Sequence, residues 1–296
     1  MKIAGRHVWI EGRLLRVARL ELDKYDTVDD PGAIGEALRE SPVRVDLFTF
    51  MQKLPDTSPK YAYAMEWDNV AALTISSFEH WWTEQINDKT RNVVRVAERK
   101  GLATREVPFD DALVRGISAV YDESPVRQGK RFRHYGKDLE TVRRENGTFL
   151  DRSRFIGAFL DSQLVGFAKL VCDEDHRQAG LMQIVSMIRH RDKAPTNALI
   201  AAAVRSCAER RIAHLLYASF AYGNKREDSL TAFKRHNGFR RVDLARYYLP
   251  LTWLGRGALR LGLHHRLRER IPEPLLARVR AARSRWYARR LPRAKG

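Results

Sequence analysis

Leu20 and Leu22 alternate with Arg19, Glu21 and Asp23, the period of a strand with one face buried. Asp30-Pro31 supplies an N-cap and a first-turn proline, so a short helix is expected through Arg39. Val43 to Phe50 is rich in β-branched and aromatic residues and reads as a further strand. Lys53 to Asp68, with Pro55 and Pro59 among polar residues, reads as a loop. A strand over Val70 to Ile75 precedes a helix from about Phe78 to Lys100, stopped by Gly101 at its C′ position. Arg91, Arg95 and Arg99 share one face of it, the pattern of a solvated surface. A short strand closes at Val107-Pro108, and a helix covers Asp110 to Asp122. A basic loop spans Pro125 to Lys137, and another helix ends at Asn146-Gly147.

The second half is more regular. Phe155 to Leu160 and Leu164 to Cys172 are apolar runs joined by Asp161-Ser162-Gln163, a hairpin signature. Gly180 to Ile188 reads as a strand, and Pro195 to Arg211 as an alanine-rich helix. A buried-type strand at His214 to Phe220, a short helix at Asp228 to His236 and a strand at Phe239 to Leu249 follow. Hairpin, strand, helix, strand, helix, strand is the order of an α/β (α+β) protein with a mixed, mostly antiparallel sheet flanked by helices.

Charge changes the picture at the C-terminus. The 296 residues carry 54 Lys and Arg against 36 Asp and Glu, a formal +18. Residues 251–296 hold thirteen of those cations against Glu269 and Glu273, so +11 belongs to the last stretch and +7 to the body. A helix is expected from Trp253 to Arg270, and Pro272 and Pro274 separate it from a second one. There Leu275, Val279, Ala282 and Trp286 form an apolar face beside six arginines. Such a basic amphipathic tail can pack on its own domain, lie on an anionic membrane surface, or contact tRNA phosphates. A hydrophobic fraction of 44% excludes a disordered chain. No run approaches the ~18 apolar residues of a membrane span, and no secretory leader is evident. Two cysteines make neither a disulfide framework nor a four-thiolate site. The expected location is cytoplasmic, with peripheral contact at the inner membrane face through the tail.

Three segments carry a resemblance. The hairpin FIGAFLDSQLVGFAKLV, the helix region KAPTNALIAAAVRSCAERRIAHLLYASF and DSLTAFKRHNGF resemble the GNAT acyltransferase superfamily. KTRNVVRVAERKGLATREV (Lys89 to Val107) and FKRHNGF (Phe233 to Phe239) are more narrowly similar to the Fem-type, FemABX-like branch and its FK-x-x-x-G signature. The similarity runs over roughly Phe48 to Pro250. It implies a GNAT-like domain at 141–250, an N-terminal α/β lobe at 1–140 that is a degenerate second lobe, and the tail at 251–296. It also implies transfer of an acyl group from acyl-CoA to the amine of a small molecule or peptide. The alternatives are aminoacyl-tRNA-dependent peptidyl transfer to a cell-wall precursor or other amine, and a non-catalytic binding protein with the same fold.

The resemblance places the oxyanion or donor-phosphate contact at Lys234, and Tyr222 is the candidate proton donor to the leaving group. A superfamily pyrophosphate loop is rich in glycine; here the equivalent run, Arg189 to Asn197, has none. Arg189, Arg191 and Lys193, with Thr196 and Asn197 at the helix start, are the candidate donor-binding residues, joined by Asn224. Arg127, Gln128 and Tyr135, in a loop mixing cations and aromatics, are candidates for substrate. No metal is expected: the histidines lack ligand spacing, and Asp173-Glu174-Asp175-His176 reads as a solvated strand connection.

Overall fold

The computed structural model describes residues 1–265 apart from 24, 27, 128 and 222–227. The tail helix expected at Leu275 to Trp286 lies outside the described residues. The chain opens with strands β1 (Lys2–Ile3), β2 (Arg6–Glu11) and β3 (Val17–Leu20). Helix α1 (Pro31–Arg39) starts where the sequence places it: the Asp30 carboxylate accepts from the Ala33 amide, and Pro31 takes the first turn. Strands β4 (Leu47–Met51) and β5 (Ala64–Thr74) follow, then a single turn α2 (Phe78–His80), a π-helical turn at Trp81–Gln85 and helix α3 (Asp88–Arg99). Strand β6 (Ala103–Val107), helix α4 (Asp111–Asp122), the ribbon β7 (Val126–Arg127) and β8 (Lys130–Arg131), and helix α5 (Leu139–Asn146) come next. The remainder is β9 (Ser153–Leu160), β10 (Gln163–Cys172), β11 (Gln178–Ser186), α6 (Pro195–Glu209), β12 (His214–Leu216), α7 (Ser229–His236), β13 (Arg240–Pro250) and α8 (Trp253–Arg260). Among the described residues no helix is long and apolar enough to cross a membrane.

Among the described residues two compact units emerge, interleaved along the chain: one from Met1–Ala72, Ala218–Asp228 and 240–265, the other from Leu73–Tyr217 and Ser229–Phe239. In the first unit the strand order is β1-β2-β3-β4-β13-β5, antiparallel except between β3 and β4. Its core centres on Phe50, whose ring stacks 5.2 Å from Tyr247 and 5.5 Å from Phe48. In the second unit the order is β12-β11-β10-β9-β6, antiparallel except between β11 and β12. Helices α4 and α6 both pack on β10, which explains why nine of its ten residues are buried. Asp161 and Ser162 take positive φ values of 46° and 69°, the left-handed pair of a two-residue hairpin turn. Both units are α/β with mostly antiparallel pairing, as the order of elements predicts.

Several local expectations are corrected. The loop expected at Lys53 to Asp68 stops short, because β5 begins at Ala64 and pairs with β13 from Tyr248↔Ala64 to Arg240↔Ala72. Its polar residues are those of a strand only partly buried over this stretch. The helix expected from Phe78 to Lys100 is broken at Ile86-Asn87. Asn87 caps the Thr90 amide, and Arg91 donates to the carbonyls of Trp82, Thr83 and Ile86 at 2.7–2.9 Å. Arg91 therefore closes the π-helical turn instead of facing solvent, while Gly101 does end α3, at φ +82°. Asp173 is buried, and its Oδ1 accepts from the Arg177 and Gln178 amides, so this acid shapes the turn between β10 and β11.

Candidate active site

Strand β11 parts from β12 within the second unit. The two share only Gln178↔His214, Ala179↔Leu215 and Gly180↔Leu216, yet β11 continues to Ser186 against β10. Its register with β10 slips between Lys169↔Gln183 and Leu170↔Leu181, so Met182 is an extra residue. A bulge turns one backbone amide out of the ladder and re-aims the strand. Here it falls just past the last β12 pair, where Met182 to Ser186 become half-buried. Nothing in the residues of β11 alone signals this bulge. Gln183 also holds a buried network, its Nε2–H donating to Tyr121 Oη at 2.8 Å. Burial pushes the Tyr121 phenol up to about 12.

Helix α7 brings Lys234 to the end of β12. The FKRHNGF motif is, physically, a helix stop. The Gly238 amide donates to Arg235 O at 3.0 Å and the Phe239 amide to Lys234 O at 3.0 Å, the paired bonds of a Schellman cap. Gly238 sits at φ +88°, the left-handed position that such a cap needs and that side chains resist. The remaining end carbonyls are met from other elements: Thr90 Oγ1–H donates to His236 O at 3.0 Å and Trp81 Nε1–H to Asn237 O at 3.1 Å. Asn237, fully buried, donates from Nδ2 to Phe233 O at 2.8 Å and accepts from Asn197 Nδ2 at 3.1 Å. Lys234 is thereby fixed one turn inside the cap, 0% exposed, with Nζ 4.5 Å from the centroid of the Tyr217 ring. Tyr217 directly follows β12 and meets Phe239 at 5.7 Å, edge to face. A buried ammonium held over an aromatic face is a strong local field with little water to screen it.

The run 187–194 joins β11 to α6. Ser186 Oγ and Thr196 Oγ1 are 2.9 Å apart, joining the end of β11 to the start of α6. Ala194 precedes the helix at φ +47°, ψ +46°, and no side chain caps the helix there. Pro195 occupies the first turn without an amide proton to offer. Arg189 and Arg191 are exposed. Lys193 lies 3.5 Å from Asp192, which also pairs with Lys100 at 3.6 Å. Desolvation pushes the Asp192 carboxyl up, and Lys193 and Lys100 together outweigh it and hold the group below its usual range. Asn197 is engaged with Asn237, so it links α6 to the helix of Lys234.

The structure thus brings Lys234, Thr196 and Asn197 into one bonded region and leaves Arg189 and Arg191 on the neighbouring loop. Tyr222, Asn224 and Gln128 lie outside the described residues. Arg127 is turned inward: it donates to Ser186 O at 2.6 Å and Val120 O at 3.0 Å, and its Cζ lies 4.6 Å from the Phe132 ring centroid. Burial lowers its pKa, with Glu123 opposing. Its guanidinium braces the end of β11. Tyr135 is exposed on the turn between β8 and α5.

Comparison with known proteins gives one kind of match. No protein-family model matches the chain, and no curated protein matches it in sequence. Among solved structures, the C-terminal DUF2156 domain of an Agrobacterium fabrum protein assigned as a lysylphosphatidylglycerol synthetase aligns with TM-score 0.59 and 14% identity, over 88% of this chain and 85% of that one. L-PGS from Bacillus licheniformis aligns with TM-score 0.56 and 14% identity, over 87% and 86%. FemX aligns with TM-score 0.51 and 11% identity, over 70% and 66%. The fold of this chain is therefore the GNAT-like fold that these three structures share.

Proposed function

We propose that the chain transfers an aminoacyl group from aminoacyl-tRNA to an amine or hydroxyl acceptor where β11 leaves β12. The observation that carries this is Lys234, wholly buried at the end of β12 beside the bulged strand. Attack by the acceptor on the ester carbonyl forms the new C–N or C–O bond and places negative charge on the carbonyl oxygen. The Lys234 ammonium and an amide turned outward at the Met182 bulge supply positive potential for that oxygen. The ester C–O bond then breaks, and the proton from the acceptor ends on the departing ribose hydroxyl. Tyr222 is the proposed donor of that proton. A tRNA ester suits the Arg189 to Asn197 run better than a coenzyme pyrophosphate does: the run lacks glycine, starts its helix with proline and contains Asp192. The names of the A. fabrum and B. licheniformis proteins point the same way and make the hydroxyl of an anionic lipid a second acceptor class.

Acyl-CoA is the second donor. What favours it is the uncapped start of α6, beside Arg189, Arg191 and Lys193, which offers backbone amides and cations to phosphate. Arg127, Gln128 and Tyr135 are proposed to contact the acceptor, Arg127 through the end of β11. The division into an N-terminal and a GNAT-like lobe belongs to the same proposal. So does a cytoplasmic protein whose basic tail, residues 251–296, meets tRNA or an anionic membrane face. The test offers purified full-length protein labelled aminoacyl-tRNAs and a panel of acyl-CoAs, with amines and anionic lipids as acceptors. Transfer from tRNA, with retention that weakens steeply as salt rises, is expected. Lys234→Met should keep the fold and lower turnover by about 10²–10³-fold. Transfer from acyl-CoA alone would select the second donor, and absence of transfer or binding with both would refute the enzyme.

A further inference from the structure

Three ligand-type side chains meet in the first unit. Glu66 lies on β5, and His264 and His265 follow α8, nearly two hundred residues later. Both imidazoles address one carboxylate oxygen: His264 Nε2 stands 3.1 Å and His265 Nε2 3.0 Å from Glu66 Oε1. One ligand atom from each residue lies within 4.8 Å of the other two. The second carboxylate oxygen is held separately, Tyr248 O–H donating to Oε2 at 3.2 Å. The Tyr248 ring also meets His264 edge-on, centroids 4.6 Å apart.

Hydrogen bonding accounts poorly for this arrangement. A single ion pair with Glu66 needs one histidine, and two protonated rings with centroids 4.1 Å apart would repel each other. The His264 side chain is only 4% exposed, its Nε2 faces Glu66 alone, and its Nδ1 is buried without a hydrogen-bond partner. Two neutral imidazoles aiming lone pairs at a shared cation avoid the repulsion between two protonated rings. A four-coordinate zinc ion, with bonds of about 2.0–2.2 Å, sets its ligand atoms roughly 3.3–3.6 Å apart. The two nitrogens already stand slightly closer than that to Glu66 Oε1. The Tyr248 bond to the non-ligating oxygen is the kind of outer contact that orients a ligating carboxylate. Calcium and magnesium prefer shells of oxygen, so two imidazoles select a transition metal.

We propose that Glu66, His264 and His265 form a binding site for a divalent first-row transition metal, zinc by its ligand set, with a fourth position left for water. The ion would pin the segment after α8 to β5 and so fix the point from which the basic tail departs. Metal-stripped full-length protein is titrated with Co²⁺ while its visible spectrum is recorded, and with Zn²⁺ while thermal unfolding is followed. One equivalent of Co²⁺ should give the absorption of a four-coordinate ion, and Zn²⁺ should raise Tm with concentration. Glu66→Gln and His265→Ala, both at partly exposed positions, should keep the wild-type circular dichroism and weaken metal binding about tenfold or more; Tyr248→Phe should weaken it about tenfold. Saturable binding absent below about 100 µM would overturn the site. So would binding unchanged in both Glu66→Gln and His265→Ala, which would assign the ion to other histidines.

Discussion

Asn237 offers the sharpest test of how the buried lysine is held. Asn237→Ala removes the Nδ2–H bond to Phe233 O at 2.8 Å and the acceptor for Asn197 Nδ2 at 3.1 Å. Each such bond contributes about 0.5–1.5 kcal/mol net. Phe233 O keeps the Asn237 amide at 3.2 Å, and half-buried Asn197 can turn toward water, so neither group loses everything. The space left by the side chain adds a further penalty, bringing the expected loss to about 2–3 kcal/mol. That corresponds to a Tm lower by about 4–12 °C. Asn237→Asp keeps the shape but turns the donor facing Phe233 O into an oxygen. Such a carboxyl, buried against a carbonyl, should titrate above its unfolded value of about 3.9, because only its neutral form can donate. Stability of this variant is then retained at low pH and lost as pH rises through the folded-state pKa. Denaturant unfolding at pH 5 and pH 8, followed by tryptophan fluorescence, to which buried Trp81 contributes, measures both effects. An alanine variant within about 0.5 kcal/mol of the parent, or an aspartate variant equally stable at both pH values, would refute the bonding scheme.

Other consequences are open to simple measurement. Gly238→Ala puts a Cβ at φ +88°, 3.0 Å from Trp81 Nε1 and 3.2 Å from Leu73 Cδ1, and should cost about 1–3 kcal/mol with a shift in tryptophan emission. Arg91→Ala frees three carbonyls of the π-helical turn; a loss of about 2–4 kcal/mol and faster amide exchange after Trp81 are expected, and unchanged exchange would deny the cap. His134 is buried, and with Arg133 and Lys137 nearby its pKa is held to about 4, so folding favours the neutral ring. Its contribution is complete above the unfolded value of about 6.5 and lost as pH falls toward 4, about 1–3 kcal/mol in all. His134→Gln should flatten that part of the pH–stability curve.

Much of this architecture is written in the chain, for identifiable reasons. Asp30-Pro31, Gly101, Asp161-Ser162 and Asn146-Gly147 announce their turns and caps because each acts on its immediate neighbours. The FKRHNGF motif was legible as a resemblance, and its physical content is a helix stop that fixes Lys234. What stayed hidden depends on distant partners. Arg91 looked like one of a solvated row, and only the folded chain shows it closing carbonyls five to nine residues earlier. The Met182 bulge exists only relative to β10, so no single strand can reveal it. Likewise Glu66 and the adjacent histidines converge through the pairing of β5 with β13.

The cap on α7 also has a consequence in time. Trp81 and the Asn237 carbonyl it bonds are 156 residues apart. At about 5–20 residues per second of synthesis, Trp81 is made about 8–30 s before its partner. Throughout that interval the Trp81 indole has no helix α7 to close over it, and Lys234 has not been made. A ribosome-bound chain arrested before Gly238 should therefore show a solvent-quenchable Trp81, and one arrested well beyond Pro250 a protected one.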